Sequence, residues 1–178
     1  NIYLLSTNGK VMSIDKNKFR INWIKQIFSD QVDFPNIGSI VVKLNGKDLY
    51  LHNGGDFIYA LNKNNGKVKW KFKNEFPFRG NITIKNDYIL VNDYNNNLLS
   101  FLEKKLIWKK KLGQSENAIL TNIRPIIYKN KIINPAFSGL FHILDIDDGK
   151  LMFSDYLQPN KKMAKIFRNN DIIANPII

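Results

Sequence analysis

The side chains best placed for chemistry in this 178-residue chain are three neighbouring carboxylates, Asp145, Asp147 and Asp148, and two histidines, His52 and His142. Closely spaced carboxylates supply hard oxygen ligands, but a calcium cage needs about six to eight of them. These three lie in a polar turn, where a short acid is expected to cap backbone amides instead. Both histidines fall in β-type runs with no His, Cys or Glu at ligand spacing, which predicts packed or surface imidazoles and no metal site. No G-x-S-x-G elbow is present, and Ser138-Gly139 stands where related stretches also turn. Asn53-Gly54-Gly55-Asp56 is glycine-rich but leads into a strand, so no helix N-terminus follows it to hold a phosphate. The absence of cysteine excludes disulfides, cysteine-ligated zinc and thiol nucleophiles, and leaves the redox compartment open. No catalytic residue, cofactor site or metal site is expected.

Charge gives a second kind of candidate. The net charge is +12, which by itself suits a polyanion. Lys outnumbers Arg 23 to 4, however, so the guanidinium forks that read phosphate and bases are nearly absent. The densest run, Lys104-Lys105 with Lys109-Lys110-Lys111, surrounds an expected turn and strand and reads as a solvated edge that resists edge-to-edge pairing. Nucleic acid is not an expected partner. No stretch is long and apolar enough to cross a bilayer as a helix. The chain opens on Asn1 inside a strand-like run, so any targeting segment is expected to lie upstream.

The elements that position these residues are strands. Short runs rich in Ile, Val, Tyr and Phe, broken by Asn, Gly, Asp and Lys, recur along the chain, and helical periodicity is absent. Seventeen strands are expected, the last two at 163–167 and 171–175. Asn45-Gly46, Asn65-Gly66, Asn86-Asp87, Asn130-Lys131, Asp148-Gly149 and Asn169-Asn170 offer residues that tolerate positive φ in tight hairpins. Most connections suit antiparallel meanders. The stretches 28–38, 74–80, 112–123 and 157–162 are longer and recur once per repeat, with Pro35, Pro77 and Pro159 in three of them. Apolar residues on both faces, as in 39–44 and 48–52, predict sheets covered on two sides.

An aromatic closes the same phrase four times, at Trp23, Trp70, Trp108 and Phe153, with spacings of 47, 38 and 45 residues. Such a period marks stacked sheet units. The clearest copies are YALNKNNGKVKW (59–70) and HILDIDDGKLMF (142–153). A small residue lets sheets approach, a short acid or amide satisfies turn amides, Gly takes a left-handed position, and a large ring fills the wedge between radiating sheets.

The phrase resembles the A-x-D-x-x-x-G-K-x-x-W docking signature of quinoprotein-type (PQQ-repeat) β-propellers, with Ala60, Asn62, Gly66, Lys67 and Trp70 in place. The fourth copy has Ile143, Asp145, Gly149, Lys150 and Phe153. The first keeps Ser13, Asp15 and Trp23 but carries Phe19 and Arg20 where Gly-Lys would stand, and the third keeps Ser100 and Trp108 on a tip two residues shorter. The resemblance implies an all-β fold: a propeller of four-stranded antiparallel blades with Trp-docking motifs, present as a partial propeller of about four blades. Residues 1–178 would form a single propeller segment with complete blades near 39–73, 81–111 and 124–156, part of a longer propeller of about eight blades.

Within that family, quinone-dependent dehydrogenases add a Ca²⁺ site and a catalytic Asp, whereas the BamB-type outer-membrane assembly lipoproteins carry the blades alone. With no cysteine and no Ca²⁺ cage, the chain is more similar to the second group. The resemblance implies a non-catalytic protein-binding scaffold for β-barrel assembly, in the periplasm at the outer membrane, held there through an upstream lipid anchor. Its partner would be the barrel assembly machinery, with no cofactor. A fragment of a PQQ-dependent dehydrogenase, or a structural or sensory propeller with another partner, are the alternatives. Loops at the ends of a rigid scaffold often carry recognition. Phe28, Phe34, Phe76 and Phe78 are therefore expected to be exposed, and Phe76, Phe78 and Arg79 are the candidate partner-binding residues. The same rings would serve equally to plug one propeller face.

Overall fold

The computed structural model describes residues 1–28, 38–43, 46–113, 123–136, 139–157 and 175–177. Among them are fifteen strands in four antiparallel sheets, and no helix long and apolar enough to cross a membrane. The first sheet has three strands, β1 (Ile2–Leu5), β2 (Lys10–Ile14) and β3 (Ile21–Gln26). The second holds β4 (Ser39–Val42), β5 (Asp48–His52), β6 (Phe57–Asn62) and β7 (Val68–Lys73). The third holds β8 (Phe78–Lys85), β9 (Tyr88–Asp93), β10 (Asn97–Leu102) and β11 (Lys105–Lys111). The fourth holds β12 (Ile126–Tyr128), β13 (Lys131–Pro135), β14 (Leu140–Asp145) and β15 (Leu151–Tyr156). Each sheet follows sequence order, as short hairpin connections require.

The four copies of the phrase agree to the register. Trp23, Trp70, Trp108 and Phe153 stand opposite Ser13, Ala60, Ser100 and Ile143, and in every sheet a bulge follows that pair. A bulge adds local twist, so its recurrence at one position gives each hairpin the same bend. Burial explains the shallow alternation: β5, β9 and β10 are covered on both faces, while β3, β11 and β15 are largely exposed.

The chain forms two compact units, Asn1–Phe78 and Arg79–Ile178. In the first, Val11, Trp23, Phe28, Leu49, Leu51 and Leu61 make a core against which Tyr3, Leu5 and Tyr59 pack. In the second, the core is Leu90, Leu98, Trp108, Ile127, Ile132 and Leu144, closed by Leu112 and Ile146.

Two expectations change. β8 begins at Phe78, three residues earlier than the expected 81–85, so Phe78-Arg79-Gly80 belong to a strand rather than to a link. Positive φ in the β12–β13 hairpin falls on Lys129 (51°), not on Asn130, whereas Asn86 (54°), Gly66 (70°) and Gly149 (67°) adopt it as expected. The expected strand 163–167, residues 171–174 of the next, and Phe34 lie outside the described residues.

Candidate partner-binding surface

The repeated phrase builds a joint between consecutive sheets of each unit. In the first, Trp23 on β3 donates its indole N–H to the carbonyl of Lys63, 3.1 Å away in the turn after β6, and the Tyr3 hydroxyl donates to the same oxygen at 3.1 Å. The ring lies on Gly66, where an added Cβ would be 2.7 Å from indole Cε3. In the second, Trp108 on β11 donates to the carbonyl of Ile146 at 3.0 Å and covers Gly149, where a Cβ would be 2.8 Å from Cδ2. Glycine is thus required twice over at these turns, for a left-handed φ and for the approach of the ring. An indole N–H that would otherwise be buried without an acceptor gains one, fixing the angle of the ring.

The acid or amide that three of the phrases carry serves its own turn. Asp15 accepts from the backbone N–H groups of Asn17 (2.8 Å) and Lys18 (3.0 Å), the Asn62 side-chain oxygen from Asn64 (2.9 Å), and Asp145 from Asp147 (3.0 Å). The backbone N–H of Lys18 and then that of Asn17 hold the Asp15 carboxyl below the usual carboxylate range. For Asp145 the main cause of the same shift is the Lys131 ammonium, which donates to it at 2.9 Å, followed by the Asp147 N–H. Asp148 accepts from the Lys150 N–H (2.8 Å), and Asp147 from the Tyr88 hydroxyl (2.6 Å), which raises the Tyr88 pKa. Each of the three carboxylates therefore has a partner in or beside its turn, and no group of three His, Cys, Asp or Glu poised for a metal occurs among the described residues.

The link 74–77 and the start of β8 hold the anticipated partner-binding residues. Asn74 donates its side-chain amide to the Phe76 carbonyl at 2.8 Å, folding the link on itself and leaving Phe76 half-buried. The exposure expected of Phe78 is corrected: it is fully buried, its N–H donates to the Gly55 carbonyl at 2.8 Å, and its ring lies 5.7 Å from His52. Phe28 is likewise core, edge-on to Tyr59 at 5.1 Å. Phe78 turns inward because its segment pairs as sheet, and Phe28, two residues past β3, because its N–H is tied to the Gly9 carbonyl at 3.3 Å and its ring packs in the core of the first unit. Arg79 is buried too; its Nε donates to the Asp93 carbonyl at 2.9 Å and its Nη2 to Asn96 Oδ1 at 3.1 Å, clamping the β9–β10 turn.

Around that turn the second unit holds polar residues in its interior. Asp93 is fully buried; its Oδ1 accepts from the backbone N–H groups of Asn95 and Asn97, and both its oxygens accept from the Asn97 side-chain amide, at 2.8 to 3.1 Å. Asn92 donates to Asn134 at 3.0 Å, joining β9 to β13. His142 is buried beside them in the register of Asn134, and neither ring nitrogen makes a hydrogen bond of ordinary geometry to a described residue. Burial pushes its pKa below the ordinary value, and the nearby Leu112 backbone opposes the shift in part. His52 differs: its Nδ1 accepts from the Gly54 N–H at 3.1 Å. The polar interior was not legible beforehand, because the run NDYNNN (92–97) reads as an ordinary turn.

The sequence model of a family described as "Outer membrane protein assembly factor BamB" matches residues 7–178. None of the curated proteins matches the sequence. Among solved structures, BamB from Moraxella catarrhalis aligns at a TM-score of 0.69 and 12% identity, over 86% of this chain and 44% of that one. The computationally designed Ika8 protein aligns at 0.70 and 11% identity, over 86% and 45%. A europium-containing methanol dehydrogenase aligns at 0.55 and 17% identity, over 67% and 24%. The chain therefore spans less than half the length of these structures, and at such identities the likeness shows the fold alone: a partial β-propeller with four-stranded antiparallel blades. With its docking phrases seated in that fold and its length matched almost throughout, the chain belongs to the family of the outer membrane protein assembly factor BamB.

Proposed function

We propose that this chain is part of a non-catalytic protein-binding scaffold that assists β-barrel assembly at the outer membrane from the periplasmic side. The observation that carries the reading is the family match over residues 7–178. The engagement of Asp145, Asp147 and Asp148 by turn and neighbouring groups agrees with it, since carboxylates already committed are poor cation ligands. Recognition in this reading comes from loops on one face, with Phe76 as the contact and the buried Phe78 and Arg79 holding its link in place. The partner is the barrel assembly machinery, no cofactor is used, and residues 1–178 are a segment of a longer propeller anchored upstream.

The test is capture of the solubilised barrel assembly machinery on immobilised protein. Retention of the machinery, reduced several-fold by Phe76→Ala with unfolding unchanged, supports the reading; no retention by the full-length protein overturns it. The likeness to a methanol dehydrogenase favours a second reading, a propeller of quinone-dependent enzymes. Calorimetric binding of pyrroloquinoline quinone with Ca²⁺, or dye reduction with an alcohol, would replace the scaffold reading with that one.

A further inference from the structure

The turn between β2 and β3 has the length of the β6–β7 and β14–β15 docking turns but departs from them at one position. Its hydrogen bond, from the Phe19 N–H to the Asp15 carbonyl at 2.9 Å, matches those from Gly66 to Asn62 (2.8 Å) and from Gly149 to Asp145 (3.1 Å). The chain thus puts phenylalanine where its sister turns put glycine, and Phe19 accepts the same left-handed backbone, with φ 52°. This conformation disfavours any residue with a Cβ. A Cβ at the equivalent glycines would sit 2.7 to 2.8 Å from the covering indole, so Phe19 also prevents an indole from docking here in the manner of Trp23 and Trp108. The ring instead stands 80% exposed, followed by Ile21 at 57%.

Its surroundings are cationic. Lys16, Lys18 and Arg20 flank the ring within the turn and are all exposed. The neighbouring sheet of the same unit carries the exposed Lys47 and Lys67 and the half-buried Lys43 and Lys63 at its two turns at the matching end, where the Lys63 N–H bonds the Lys47 carbonyl and Trp23 reaches the Lys63 carbonyl. Val68, 48% exposed, begins the next strand. The acids at this end are committed: Asp15 caps its turn and Asp48 pairs with Lys69. At the equivalent turns of the second unit the charges are mixed, with Glu103 beside Lys104 and Lys105 and three aspartates beside Lys150.

We infer that the Phe19 turn and the lysines around it form a docking surface for an anionic lipid bilayer. An exposed aromatic ringed by cations suits the headgroup boundary, where the ring enters the interface and each cation gains from the surface potential. Duplex or single-stranded nucleic acid fits less well, because this surface offers one arginine and no row of rings for stacked bases. The 62–67 turn and the 74–77 link lie at opposite ends of β7, and the inference does not rest on the scaffold reading.

The test is co-sedimentation of the purified chain with vesicles of phosphatidylglycerol and phosphatidylcholine, against vesicles of phosphatidylcholine alone. Binding to the anionic vesicles only, weakening as salt is raised, is expected. Phe19→Gly should lower that binding by about fivefold or more, since it removes the inserted ring. Because glycine adopts without strain the left-handed backbone that disfavours Phe19, this variant should unfold at the same temperature as the parent or higher, so lost binding is not lost folding. Reversing Lys16, Lys18 and Arg20 to Glu together should abolish binding, whereas reversing Lys104, Lys105 and Lys150 should leave most of it. Equal binding to both vesicle types, undiminished binding of Phe19→Gly, or duplex DNA that displaces the vesicles while Phe19→Gly binds DNA like the parent would each overturn the inference.

Discussion

In the first unit, Trp23 rests on the 62–67 turn inside an apolar cluster of Val11, Leu49, Leu51 and Leu61; in the second, Trp108 rests on the 145–150 turn in a unit that also buries Arg79, Asp93, Asn92, Asn134 and His142. The joint is the same in both: an indole N–H on a turn carbonyl, with the ring on a glycine. What differs is everything the docking phrase does not specify. Both units bury polar side chains; in the first His52, Asn53 and Asn74 bond backbone two residues away, whereas in the second Asn92 and Asn134 bond across two sheets. Repetition therefore sets the sheets and their bulges, while residues outside the phrase decide whether buried polar groups serve local turns or join sheets. That division separates the features shared across a fold family from those that make one chain distinct.

The largest effects should come from the joint. Trp23→Ala or Trp108→Ala, each ring being more than nine-tenths buried, should cost about 3–5 kcal/mol in urea unfolding. Phe153→Ala, at the same place in the phrase but 48% exposed, should cost far less, about 1 kcal/mol or under. Equal losses at Trp108 and Phe153 would break the equation of ring burial with joint strength.

The polar lattice should give intermediate effects. Asp93→Ala leaves the Asn95 and Asn97 donors without their acceptor in a buried site, so about 2–3 kcal/mol is expected in the same measurement. Asp15→Ala in the first unit should be milder, because water reaches its turn and replaces the carboxylate. A loss at Asp15 equal to that at Asp93 would show that the interior setting of the lattice adds nothing.

The smallest effect is a pH dependence that His142 gives the second unit. The folded-state pKa of His142 is depressed by burial, so the unfolded chain binds the proton more readily. Stability is then fully present above the unfolded value of about 6.5 and is lost as pH falls toward the folded value, with a slope of at most about 1.4 kcal/mol per pH unit. His142→Gln should flatten the thermal-unfolding profile across this window; a slope that survives the substitution would assign it elsewhere.

Much of the architecture was legible because the phrase carries its own physics. The spacing of Trp23, Trp70, Trp108 and Phe153 located the hairpins, and Asn62, Asp145 and Gly66 declared turn roles that geometry alone demands. The inward turn of Phe28 and Phe78 was not legible. Where a strand begins depends on the sheet it joins, and the segment Phe78-Arg79-Gly80 has no local signal that separates strand from link. The buried lattice was hidden for a related reason: asparagines that pair across sheets, as Asn92 and Asn134 do, look in sequence like asparagines that merely turn. Phe19 showed as a departure from the glycine of the phrase, but its adoption of the glycine conformation with its ring exposed is set by the fold and not by the local sequence.

The central claim is that the two sheets of each unit are joined by an indole seated on a glycine turn. A double-mutant cycle between Trp108→Ala and Gly149→Ala, read by urea unfolding, tests it most directly. In the parent, the added methyl meets both a left-handed backbone and the ring, for a loss of about 2–4 kcal/mol. Without the ring only the backbone cost remains, so the two substitutions should fall short of additive by about 1 kcal/mol or more. Strict additivity would mean that Trp108 and Gly149 do not meet in solution, and the joint would have to be abandoned.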